Sequence, residues 1–126
     1  MAKYDAVRFK PPACTAVVTL RNPDTGATSR DVYMLMDTGA DVSLLPYDAI
    51  QQIGVQPLQD LKYELASFDG VKSIASVVRV DLLFCGRYVT TEFVLTQQDT
   101  GILGRNVLNK YRLLLDGPNE TWEHVP

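Results

Sequence analysis

Three aspartates in this chain share one context: Asp-Thr-Gly stands at 24–26, at 37–39 and at 99–101. A carboxyl group held in place can take up and return a proton, so each is a candidate general acid or base. Their surroundings separate them. Asp24 follows Asn22-Pro23 and precedes a polar stretch. That suits a hairpin turn in which Gly26 supplies a positive φ. Asp99 follows Gln97-Gln98 and leads into Ile102-Leu103-Gly104, as expected for a surface loop before a buried strand. Asp37 is different. Tyr33-Met34-Leu35-Met36 delivers it and Val42-Ser43-Leu44-Leu45 follows shortly after. A carboxylate between two buried segments is costly unless it is hydrogen-bonded or paired. Asp37 is therefore the functional candidate, with Gly39 allowing a sharp turn and Thr38 placing a hydroxyl inside it. Other reactive types form no cluster. Cys14 and Cys85 lie in apolar, strand-like segments and read as small hydrophobes. With His124 as the sole histidine, the sequence shows no metal-ligand spacing.

The elements that must position Asp37 are mostly strands. Residues 13–20 are rich in β-branched types, and 30–36 read as a second strand across the Asn22–Gly26 turn, so the two predict a hairpin. Pro46 opens a short helix with Tyr47, Ile50 and Ile53 on one side, closed by Gly54. Residues 61–68 and 71–84 flank Asp69-Gly70, a strong hairpin signal. A tight turn at 84–88 leads to a strand ending at Leu95. Ile102-Leu103-Gly104 is short and apolar, residues 105–111 suit a helix, and 112–115 suit a last core strand. The sum is an all-β barrel or two-sheet fold with one or two short helices.

Composition bounds the function. The chain has 126 residues, 46% hydrophobic and 21% charged, which describes one globular domain with an adequate core. A formal net charge of −3 argues against a nucleic-acid partner. No apolar run approaches a membrane span. Residues 1–10 lack an apolar signal core, so the expected location is cytoplasmic. A chain this short is expected to form one small barrel, so a cleft needs a second chain for its other wall. Asp37 and Asp99 within one chain are too close in sequence to belong to two lobes.

Two segments carry a specific resemblance. Met34-Leu35-Met36-Asp37-Thr38-Gly39-Ala40-Asp41-Val42-Ser43 resembles the active-site segment of retropepsins, the retroviral-type aspartic proteases. Ile102-Leu103-Gly104-Arg105-Asn106-Val107-Leu108 resembles their second motif, in the expected order and about 65 residues later. The hairpin around Asp69-Gly70 falls between them, where that family places its flap. The resemblance implies a single-domain acid-protease barrel over residues 13–116, preceded by an extended arm (1–12). A tail (117–126) follows as a candidate dimer strand.

It further implies an aspartic endopeptidase working as a homodimer on an extended peptide, with no metal or cofactor. Asp37 from each subunit would form a dyad sharing one proton. Thr38 would tie the two loops together, and Gly39 and Ala40 would present backbone to substrate. Ala40 and Asp41, with the flap residues Phe68, Asp69, Gly70 and Val71, make the implied substrate-binding set. Gly104, Arg105 and Asn106 would support the loop, with Arg105 pairing to Asp41. The alternative is a retropepsin-like module that dimerises or binds peptide without turnover.

Overall fold

The computed structural model describes residues 1–66 and 69–126. Among the described residues ten strands and two short helices follow in order: β1 (Ala2–Lys3), β2 (Thr15–Arg21), β3 (Thr28–Met36), β4 (Leu44–Pro46), α1 (Tyr47–Gln52), β5 (Lys62–Ala66), β6 (Lys72–Phe84), β7 (Arg87–Thr96), β8 (Gly101–Leu103), α2 (Arg105–Leu108), β9 (Leu113–Asp116) and β10 (Thr121–His124). The main sheet runs β2-β3-β8-β4-β7-β6-β5, and a further β2–β6 pairing closes six of these strands into a barrel. Closure removes the exposed edges that a small open sheet would carry. β5 lies outside the ring and pairs with β6 alone.

Period-two burial along the strands explains the closure. In β2, Ala16, Val18 and Leu20 point inward while Val17 stays exposed. They meet Met34, Leu45, Val78, Val80, Leu82, Phe93, Leu103 and Val107 in one core. The turns follow their residue types. Asn22 Oδ1 accepts the Asp24 and Thr25 N–H groups at 2.9 and 3.3 Å, so this Asp-Thr-Gly is a turn. At the β6–β7 hairpin Cys85 and Gly86 both take positive φ, 51° and 75°, matching the twist of the strands they join. The β5–β6 hairpin has Gly70 at φ 82°; its Ser67 and Phe68 lie outside the described residues.

One expectation is corrected, and the two terminal segments take definite places. The helix after Gly104 ends at Leu108 rather than Tyr111. Lys110 and Tyr111 N–H groups bond back to Val107 and Leu108 carbonyls, tightening the chain into turns. This sends Tyr111 onto Phe84, ring edge to ring face at 4.8 Å, with its hydroxyl donating to the Phe84 carbonyl at 3.0 Å. The arm folds back on its own barrel: β1 pairs with β10, and Asp5 bridges to Ala13. The tail is likewise held in cis, because β10 lies between β1 and β9 in a three-stranded sheet. Trp122 accounts for this placement, being 7% exposed with its indole N–H donating to the Thr15 carbonyl at 2.9 Å. The free long edge of that sheet belongs to β9. Among the described residues no helix is long and apolar enough to cross a membrane.

Candidate active site

β3 and β8 run parallel, with Met34, Leu35 and Met36 opposite Gly101, Ile102 and Leu103. Their shared end fixes where Asp37 emerges. The Asp37 N–H donates to the Leu103 carbonyl at 2.9 Å, and the chain turns as the Ala40 N–H reaches the Asp37 carbonyl at 3.2 Å. Within this turn the Gly39 N–H donates to Asp37 Oδ1 at 2.9 Å. Among the described residues Asp37 Oδ2 accepts no hydrogen bond. The carboxyl group is half-buried, and Thr38 and Gly39 beside it are exposed.

The second motif braces this loop from behind. The Arg105 N–H donates to the Ala40 carbonyl at 2.8 Å, and the Arg105 guanidinium donates through Nη1 to the Thr38 carbonyl at 2.8 Å. Ser43, fully buried, accepts the Gly104 N–H at 2.9 Å and donates to Asn106 Oδ1 at 2.7 Å. Gly104 packs backbone to backbone here. A Cβ on it would stand 2.5 Å from the Val42 carbonyl oxygen and 2.9 Å from that of Ala40. Only glycine lets α2 approach the loop so closely.

The expected Asp41–Arg105 pair is corrected. Among the described residues no ion pair within 4 Å joins them; Arg105 is committed to Thr38. Asp41 instead accepts a 2.7 Å hydrogen bond from the hydroxyl of Tyr63 on β5. That bond is the main cause holding the Asp41 carboxyl below the ordinary carboxylate range, with a lesser through-space attraction from Arg105. The same bond pushes the Tyr63 hydroxyl up.

The structure thus brings Asp37, Thr38, Gly39, Ala40, Gly104, Arg105 and Asn106 together. Asp41 sits at the loop's far end, toward the β5–β6 hairpin. Asp69, Gly70 and Val71 are exposed at the hairpin tip, and the implied role of Phe68 falls outside the described residues. Asp99 is exposed in the turn before β8, apart from Asp37. Two contributors escaped the sequence reading. Ser43 carried a signal, as a lone hydroxyl in an apolar run that has to find partners once buried. Tyr63 carried none beyond lying on a strand next to the flap. Beside Thr38, a concavity of about 400 Å³ is lined by Cys14, Met36, Leu108, Tyr111, Leu113 and Leu115.

Comparison with known proteins agrees with this geometry. The family described as "gag-polyprotein putative aspartyl protease" matches residues 24–110, which include both braced segments and the β5–β6 hairpin. A search of curated protein sequences finds no match. Among solved structures, EIAV protease complexed with the inhibitor HBY-793 superposes with a TM-score of 0.56 at 22% identity, over 78% of this chain and 86% of that one. Simian foamy virus (mac) protease gives 0.53 at 16% identity, over 76% and 92%. The foamy viral protease–reverse transcriptase gives 0.51 at 17% identity, over 76% of this chain and 15% of that one. These likenesses show a retroviral protease fold, and with the matched family they place the chain among the retropepsin-like aspartic proteases.

Proposed function

We propose that the protein is an aspartic endopeptidase that acts as a homodimer, with Asp37 of two copies forming the catalytic dyad. One observation carries the reading. The chain builds a fully braced Asp-Thr-Gly loop yet presents a single such carboxyl, with Oδ1 held by the Gly39 N–H. The missing half has an evident route. β9 borders β10 on one side only, its Leu114 and Leu115 are 52% and 54% exposed, and Leu115 lines the concavity beside Thr38. Two copies joined edge to edge along β9 bury those leucines and approach each other on the Thr38 side. This dimer differs from interleaved chain ends, because β10 is already flanked in cis.

The chemistry follows from two carboxyl groups in contact. Both cannot ionise cheaply, so the pair carries one proton. The ionised Asp37 takes a proton from a water held between them, and the water oxygen bonds to the scissile carbonyl carbon. The protonated Asp37 gives its proton to the carbonyl oxygen. Collapse of the tetrahedral species returns that proton and breaks the C–N bond as the first Asp37 passes the proton it drew from water to the leaving amine. Arg105, Ser43 and Gly104 hold the loop while charge moves, which is a matter of preorganisation. The β5–β6 flap covers an extended peptide and excludes water.

The test is cleavage of a denatured protein mixture from about pH 3.5 to 7.5, read by mass spectrometry, because a one-proton dyad gives a bell-shaped profile. Acid-biased cleavage that vanishes in Asp37→Asn supports the reading. Cleavage that survives in Asp37→Asn overturns it. No cleavage by dimeric wild type favours a peptide-binding module.

A further inference from the structure

The flap hairpin is anchored unevenly. Residues 77–84 of β6 are stitched into the barrel through β7 and β2, whereas residues 72–76 pair with β5 alone. The distal half is thus a two-stranded ribbon, and such ribbons are marginal without further support. Ion pairing along it is internal: Lys72 reaches Glu64 at 3.3 Å, linking the two strands of the ribbon to each other. Tyr63 provides a tie of another kind. It sits opposite Ala75 at the ribbon's base, and its hydroxyl reaches 22 residues back along the chain to the Asp41 carboxylate at 2.7 Å. Asp41 ends the loop that begins at Asp37. That loop is therefore held at Thr38 by Arg105 of α2 and at Asp41 by Tyr63 of β5.

We propose that Tyr63 is a positioning residue that latches the flap to the active-site loop through Asp41, so that flap closure and loop geometry are coupled within one subunit. A bond to an ionised acceptor is stronger than a neutral one. It also joins an element that has to move to an element that has to stay still. Asp41 is the receiving half of this latch, while Arg105 braces Thr38. The kinetic consequences rest on the peptidase reading above; the mechanical ones do not.

Tyr63→Phe keeps the ring and removes only the hydroxyl, so the fold survives the change. Amide hydrogen exchange in the wild type and the variant reads the latch directly. The expected result is exchange about three- to tenfold faster at residues 62–66 and 72–76, with β2, β3 and β7 unchanged. In peptide cleavage, KM rises by about the same factor while kcat stays within about twofold, since a looser flap weakens ground and transition states alike. Asp41→Ala, which removes the acceptor, gives the same exchange signature in the ribbon, and by that readout the double variant is no worse than the more damaged single. Unchanged exchange in the ribbon of Tyr63→Phe overturns the latch, as does a double-variant loss equal to the product of the singles. A wild type without peptidase activity but with the exchange difference keeps the latch and removes the peptidase reading.

Discussion

Adding one methyl group at Gly104 tests the packing that aims Asp37. The new Cβ would lie 2.5 Å from the Val42 carbonyl oxygen, 2.6 Å from its carbon and 2.9 Å from the Ala40 oxygen. A tolerable carbon–oxygen contact is about 3.3 Å, so the loop and α2 have to separate by ~0.8 Å. No side chain can yield instead, because all three neighbours are backbone atoms. The same separation stretches the Gly104–Ser43 and Arg105–Ala40 hydrogen bonds, 2.9 and 2.8 Å in the native chain. Overpacking of this kind costs about 2–3 kcal/mol, which lowers Tm by roughly 8–12 °C in a chain of this size. Displacing the catalytic loop by nearly an ångström costs about 100-fold in kcat/KM. Scanning calorimetry and peptide cleavage measure the two losses. Gly117→Ala is the control, since a Cβ there meets nothing within 4 Å. A Gly104→Ala protein with native Tm and native activity would refute the backbone-contact argument.

Further outcomes follow from the same contacts. Ser43→Ala leaves the buried Gly104 N–H without its acceptor and Asn106 without its donor, an expected loss of about 2 kcal/mol in urea unfolding. Asp81, 4% exposed, accepts from Thr90 at 2.6 Å and Arg21 at 2.8 Å, and these bonds hold its carboxyl below the ordinary value of 3.8. A depressed native pKa adds stability above the unfolded value and loses it as pH falls through the native one. Asp81→Asn is therefore less stable than wild type above about pH 5, and the gap between their unfolding curves narrows steadily below 3.8. Leu115→Glu at the exposed β9 edge gives a monomer by sedimentation, removes cleavage activity and makes Tm independent of protein concentration.

Much of this arrangement was legible because it rests on local chemistry. A carboxylate between apolar runs, a glycine directly after it and an apolar-Gly-Arg-Asn segment are visible as residue types at fixed spacing. The two hairpins at Asn22–Gly26 and Cys85–Gly86 follow from Gly26 and Gly86, which accept positive φ, whereas Cys85 takes φ 51° against its residue type. Partner choice was less legible. The sequence offered Arg105 as the partner of Asp41, but the course of the β5–β6 hairpin, which no local pattern encodes, delivered Tyr63. The terminal strands are a second instance. The alternation in residues 121–124 suits pairing in cis or in trans equally. Burial of Trp122 against Thr15 and Phe84 decides for cis, which transfers the free edge to β9. The shortened α2 is a third, because the edge contact of Tyr111 with Phe84 overrides a helix-compatible run.

The most direct test of the central claim is a subunit-mixing titration. Wild type and Asp37→Asn are co-refolded at varying ratios and constant total protein, and peptide cleavage is measured. If each site needs Asp37 from both copies, activity follows the square of the wild-type fraction, falling to about one quarter at equal mixing. Activity that falls only in proportion, to about one half at equal mixing, would mean that one chain's Asp37 suffices and would contradict the shared dyad.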